Sequence, residues 1–242
     1  MKDYRIVNVE FKNHVKLSDV VFHEMFKNTV EEENGYFTNC AFEKNMVLEN
    51  IIFKEFMMFE YTDFKGYVVF KNILFEKGLD LSSANIIEGI SFLNLNGLDI
   101  GLSKEKTPRE TYRIIKHNFQ RIGNIIEANK YHVLEQVKYH KEIWSKREIT
   151  LEYLSDGIIS FLLWISSNFS KYWFLPLIWI FIVGMITASI LGDMTLSNII
   201  KYATITKYDY AEKHPILFLF NKVSLGFLYY QFVLSVRKNT RK

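Results

Sequence analysis

One cysteine, Cys40, stands among 242 residues. No internal disulfide can form, so packing alone must hold the fold, and nothing points to an oxidising compartment. Glycine-rich phosphate loops, Gly-x-Ser-x-Gly elbows and Cys-x-x-Cys pairs are also missing. That removes the commonest signatures of nucleotide binding, acyl transfer and zinc or redox chemistry. The six histidines are scattered. His132 and His140 can share a helix face, but Gln136 lies between them where a ligand would be wanted, so packed or solvated roles are expected. Asp156 reads as a helix-start or headgroup-level residue. No catalytic residue, cofactor or metal is expected, and the chain reads as non-enzymatic. Glycine is sparse in the first hundred residues. Gly66, Gly78 and Gly89 are too few for an antiparallel β-domain, which needs turn signals at short intervals. Met1-Lys2-Asp3-Tyr4-Arg5 leads into mixed polar sequence, so no signal peptide is expected.

What is present is a column of large apolar residues spaced alternately five and six apart: Phe37, Phe42, Leu48, Phe53, Phe59, Phe64, Phe70, Phe75, Leu81, Ile86 and Phe92. A helix face repeats at 3.6 residues and a strand face at 2, so neither generates this pattern as a simple run. Two residues before each later mark stands a small or apolar side chain: Cys40, Met46, Ile51, Met57, Thr62, Val68, Ile73, Leu79, Ala84 and Ile90. Inward pairs at i−2 and i predict short strands broken by corners, with the chain coiling around a narrow apolar core. Cys40, inward in this scheme, is a poor reactive thiol.

On these residues the segment resembles the pentapeptide-repeat proteins. The resemblance implies a right-handed quadrilateral β-helix with about twenty-two residues per coil, covering roughly residues 7–100. The implied stacks are Phe37–Phe59–Leu81, Phe42–Phe64–Ile86, Phe26–Leu48–Phe70–Phe92 and Phe53–Phe75. Toward the N-terminus Val9, Val15, Val20 and Phe26 are assigned to the same phase. Glu31 falls on an inward position, so Glu31-Glu32-Glu33-Asn34-Gly35 is expected to form a loop or bulge.

Charge divides the chain. Residues 1–100 hold 10 Lys/Arg against 16 Asp/Glu, a net of −6, and residues 101–242 hold 20 against 11, a net of +9. The two parts are expected to meet different surroundings. Thr107-Pro108-Arg109-Glu110 is a helix start with Thr107 as cap and Glu110 completing a capping box. Tyr112, Ile115, Phe119 and Ile122 form one apolar face. Gly123 is a stop, and a second run over 124–147 uses Ile125, Ile126, Val133, Val137 and Trp144. The pair predicts a helical hairpin within 103–150. Arg113 to Glu135 resembles a helical segment that follows pentapeptide repeats in bacterial membrane proteins.

Phe174 to Leu191 is an uncharged run of 18 residues, preceded by Tyr172 and Trp173. It is the lower end of a spanning length with an interfacial aromatic belt, and a span over 172–192 is expected. An interfacial helix is expected over 157–169. A second candidate span, 215–236, contains Asn221, Lys222 and Gln231. Asn221, Ser224, Leu228, Gln231 and Ser235 fall on one seam, and a polar seam must face protein or water. It is read as glue against the first span, as an oligomer contact or pore lining, or as an amphipathic helix lying on the membrane surface.

Eleven Lys/Arg lie between Lys104 and Arg147, and the tail 237–242 adds four in six residues. Basic flanks on both sides place both termini in the cytoplasm. Tyr229 to Lys238 resembles the C-terminal helix of bacterial pentapeptide-repeat membrane proteins. Some of that group carry a two-span channel module, but no Thr-Val-Gly-Tyr-Gly-like filter stands in this connector, so potassium selectivity is not implied. The expected organisation is therefore a β-helix over 1–102, a hairpin over 103–150 and a membrane region over 151–242. The resulting expectation is a multi-pass protein of the bacterial inner membrane, anchoring a cytoplasmic β-helix that meets a protein partner. The alternative is a homo-oligomeric channel-like or membrane-permeabilising protein. The β-helix is only moderately acidic, so no nucleic-acid partner is expected.

Overall fold

The computed structural model describes residues 5–22, 34–145, 150–206 and 210–240. The chain divides into two units, Met1–Lys138 and Tyr139–Lys242.

The first unit opens with short strands joined only by parallel pairing. The first coil holds β1 (Arg5–Val7), β2 (Glu10–Phe11), β3 (Val15–Ser18) and β4 (Val21–Phe22). The second holds β5 (Asn34–Thr38), β6 (Ala41–Phe42) and β7 (Met46–Phe53), and the third β8 (Phe56–Glu60), β9 (Asp63–Phe64) and β10 (Val68–Phe75). The fourth holds β11 (Leu79–Asp80), β12 (Asn85–Ile86) and β13 (Ile90–Asn96). They stack as three sheets, β1-β5-β8-β11, β2-β6-β9-β12 and β3-β7-β10-β13, with β4 also on β7. This is a solenoid-like fold. The column residues superpose one coil on the next: Phe37 on Phe59, Phe42 on Phe64, Leu48 on Phe70, Phe53 on Phe75 and Phe70 on Phe92. Phe37/Phe59, Phe42/Phe64 and Phe53/Phe75 stack with centroids 5.2 Å apart, close to the spacing of paired strands. Of the eleven column residues ten are buried and Ile86 is half-buried.

The alternation of five and six has a backbone cause. Asn39, Asn50, Tyr61, Asn72 and Asn94 all have φ between 47° and 60°. Each lies two residues after a column residue, the first four inside five-residue steps. In those steps one left-handed residue turns the tight corner; the step from Leu81 to Ile86 turns without one. Asparagine tolerates this conformation and most side chains do not.

The N-terminal assignment needs correcting. Between the first and second coils the register is 31 residues, not 22: Ile6 pairs with Phe37, Phe11 with Phe42, Leu17 with Leu48 and Phe22 with Phe53. The first coil's column is Ile6, Phe11, Leu17, Phe22, with the same steps of five, six and five. Val15 sits opposite Met46 and Val20 beside Ile51, so Val9, Val15 and Val20 belong to the i−2 set and Val9 is exposed. Leu48 therefore stacks under Leu17. Phe26 and Glu31–Glu33 lie outside the described residues, whereas Asn34 and Gly35, expected in the loop or bulge, open β5 and pair with Phe56 and Met57.

Helices α1 (Gly101–Lys106), α2 (Arg109–Arg121) and α3 (Ile125–Ser145) follow. Tyr112, Ile115 and Phe119 of α2 are buried against the last coil's core, while Ile122 is exposed. On α3 the buried face is Ala128, Tyr131, Leu134 and Glu135, whereas Ile126 and Trp144 are exposed. The expected cap also differs. α2 is capped at Pro108 with no side-chain hydrogen bond. The Thr107 hydroxyl instead accepts from the Leu79 N–H at 3.2 Å and donates to the Ser103 carbonyl at 2.7 Å. A buried sheet edge without partners is costly, and this demand outranks a helix cap. Gly123, at φ 75°, does separate α2 from α3.

The second unit contains α4 (Leu151–Ser167), α5 (Leu175–Ile190), α6 (Leu196–Tyr202) and α7 (Pro215–Thr240). α4 starts earlier than expected because Thr150 caps it, accepting from the Tyr153 N–H at 3.3 Å. α5 is 16 residues long, or about 24 Å, short of a hydrocarbon core of about 30 Å. Gly192 at φ 77° follows it. Among the described residues α7, with 26, is the one helix both long and apolar enough to cross a membrane. The expected order of the two spans is thus reversed. α6 forms in the connector between them, capped by Thr195.

Two outcomes test the solenoid. Phe64→Ala should destabilise it by roughly 3–5 kcal/mol in denaturant unfolding, as buried aromatic truncations do. Tyr61→Asn, which places a tolerant residue at φ 47°, should stabilise it by about 1 kcal/mol.

Candidate functional site

Two constellations carry polar chemistry. The first is the seam of α7. Asn221, Gln231 and Ser235 are each at most 2% exposed, and Ser224 is half-buried. Leu225 and Leu228 continue the same inward face. The Asn221 amide donates to Thr187 Oγ1 of α5 at 2.8 Å and to the Tyr202 carbonyl of α6 at 3.2 Å. Ser167 Oγ at the end of α4 lies 3.4 Å from Gln231 Oε1. Asn239, one turn beyond Ser235, donates to the Ser170 carbonyl at 3.2 Å. The seam thus faces α4, α5 and α6 of its own chain. Asn221 Oδ1 and Ser235 Oγ are buried without a hydrogen bond among the described residues.

Small residues let these helices approach. A Cβ on Gly184 would stand 2.6 Å from the Ile199 carbonyl and 3.0 Å from the Ala203 Cβ, so α6 sits directly on α5. On α4 the inward residues are polar or small. Asp156 accepts from the Tyr139 hydroxyl at 2.7 Å, and Ser160 Oγ lies 2.8 Å from His140 Nδ1. The His140 ring stacks on Trp164 at 5.8 Å. Burial holds its imidazole below the ordinary histidine range, which favours the neutral ring. Among the described residues no group of three or more His, Cys, Asp or Glu could hold a metal.

The second constellation is the outer wall of the solenoid. Asn50 donates to Asp19 at 2.9 Å, Asn72 to Asn50 at 2.9 Å and Asn94 to Asn72 at 3.1 Å, a side-chain ladder through four coils. Lys16, Glu49 and Lys71 run beside it, with N–O distances of 3.3 and 2.6 Å. The two lysines hold the Glu49 carboxyl below its ordinary range, chiefly through the Lys71 hydrogen bond. Such exposed pairs add little stability. The sequence signal for this ladder is asparagine at 50, 72 and 94, which repeats at the coil length. No family model matches the chain, and neither a curated protein nor a solved structure matches it.

The seam makes a contrast testable by chemical unfolding of the full chain. Asn221→Leu leaves the Tyr202 carbonyl without its amide donor and should destabilise by about 1–3 kcal/mol. Ser235→Ala removes an oxygen with no hydrogen-bond partner among the described residues and should be neutral or stabilising by about 1 kcal/mol.

Proposed function

We propose that this chain is a non-enzymatic, membrane-anchored interaction protein. A right-handed quadrilateral β-helix of the pentapeptide-repeat kind is held at the cytoplasmic face of a bacterial inner membrane. The observation that carries the anchoring is the inverted arrangement of the second unit. Leu177, Ile178, Phe181, Met185, Ile186 and Ile190 of α5 point outward, while Pro176, Gly184, Thr187 and Ala188 are inside. Ile216, Leu219, Phe220, Val223 and Val233 of α7 point outward, while Asn221, Gln231 and Ser235 are inside beside Leu225 and Leu228. α4 exposes Leu154, Ile158, Ile159, Phe161, Leu162 and Trp164 and turns Ser160 inward. A helix in water has the opposite polarity, and monomeric soluble proteins rarely expose contiguous apolar surface of such extent. Hydrocarbon suits the outer faces, and small or hydrogen-bonded residues suit the inner ones.

In this reading α7 crosses the bilayer with Arg237 and Lys238 at its cytoplasmic end, as basic flanks require. α5, at 16 residues shorter than the hydrocarbon core, makes the second pass by local thinning of the bilayer, and α4 lies in the interface. The regular outer wall of the solenoid is the surface offered to a protein partner. The contacts of the α7 seam with α4, α5 and α6 of its own chain support this reading over the homo-oligomeric channel-like alternative.

Single cysteines introduced by Thr206→Cys and Asn239→Cys, in a Cys40→Ala background, test the topology. An impermeant maleimide added to intact spheroplasts should label the Thr206→Cys protein at once and the Asn239→Cys protein only after permeabilisation. Labelling of both from the same side would sink the two-pass arrangement.

A further inference from the structure

α6 has seven residues, so its last carbonyls have no intrahelical donors. The three successive carbonyls at its end are nevertheless engaged, all by side chains of α7. The Tyr202 carbonyl takes the Asn221 amide at 3.2 Å, the Ala203 carbonyl the Tyr229 hydroxyl at 3.2 Å and the Thr204 carbonyl the Lys222 ammonium at 2.8 Å. The Lys222 nitrogen also lies 5.7 Å from the Tyr210 ring centre and 5.6 Å from that of Phe218. A helix C-terminus carries the negative end of the helix dipole, and aromatic faces attract cations. Carbonyl, dipole and ring faces together make a cage suited to an ammonium group.

We infer that the C-terminal end of α6 is a cation site whose resident occupant is the tethered ammonium of Lys222, which latches α6 between α5 and α7. The site takes primary ammonium, and a free alkylammonium can replace the side chain once that is cut back. The latch accounts for a lysine in the middle of an otherwise apolar helix. It also accounts for three donors standing at 221, 222 and 229: they meet three consecutive acceptors on one short element. The inference concerns contacts inside the second unit and does not rest on the bilayer assignment.

The test uses the purified full chain in detergent, with Cys40→Ala and Ile199→Cys. Ile199 is buried beside Gly184, so its replacement reports whether α6 is seated. With Lys222 present, maleimide labelling should be slow. Lys222→Ala should speed it about tenfold, the factor expected from one lost charge-assisted hydrogen bond. Ethylammonium chloride should restore protection in that variant, and sodium chloride at equal concentration should not. Labelling no faster in Lys222→Ala, or equal protection by both salts, overturns the inference. Tyr229→Phe removes a single hydroxyl and keeps the question open to refutation should Lys222→Ala fail to fold. Labelling must rise there too, and an unchanged rate means the carbonyl end does not hold α6.

Discussion

Buried backbone groups must find partners, and both units are arranged around that demand. In the solenoid each coil's N–H and C=O groups pair with the coils on either side, until the last coil runs out of neighbours. α2 then meets the exposed edge. Thr107 and Thr111 accept from Leu79 and Leu81, and Asn118 and Arg121 donate to the Ile90 carbonyl. Residues that look like helix caps or surface polar groups are substitute strand partners. The short helix α6 poses the same problem at its end, and α7 answers it with an amide, a hydroxyl and an ammonium. Side-chain donors and acceptors thus complete what regular secondary structure leaves unfinished.

The solenoid core follows from that pairing. Parallel strands in register carry each side chain directly above its counterpart, so a column needs one type of shape at each coil. Phenylalanine supplies a flat face that stacks at the strand spacing. The corners obey a second rule. Most tight corners hold one left-handed residue, which is asparagine in most coils. On the β3-β7-β10-β13 sheet its amide then bonds the Asp19 carboxylate or the asparagine amide of the coil beside it, so one residue both turns the chain and ties two coils together.

In the second unit polar groups are interior and many large apolar side chains are exterior. Thr187, Ser160, Asn221 and Gln231 are buried together with Ile180, Leu225 and Leu228, while most other large side chains of α4, α5 and α7 face outward. The polar groups lower the hydropathy of α7 while contributing the contacts that position it. Composition alone therefore undervalued α7 and favoured the uncharged run before it. That run begins with Pro176 in its first turn and reaches Gly192 short of the full hydrocarbon thickness.

The repeat, its period, the identity of the inward column from Phe37 to Phe92, the break at Gly123 and the apolar character of the C-terminal region are legible in the sequence. Each depends on periodicity or composition along one stretch of chain. Which residues occupy the first coil's column is not legible, because an extra nine residues between Phe22 and Phe37 shift the register from 22 to 31 and hydrophobicity fits two phases equally. The seam of α7 can be read as polar and one-sided, but its partners cannot. Thr187, Ser167 and Tyr202 lie 34, 64 and 19 residues away, and nothing local specifies them. Tertiary structure alone decided that Thr107 serves a strand edge and that Lys222 meets a carbonyl of α6. Both outcomes depend on which backbone groups remain unpaired after the elements have packed, a quantity no local pattern contains.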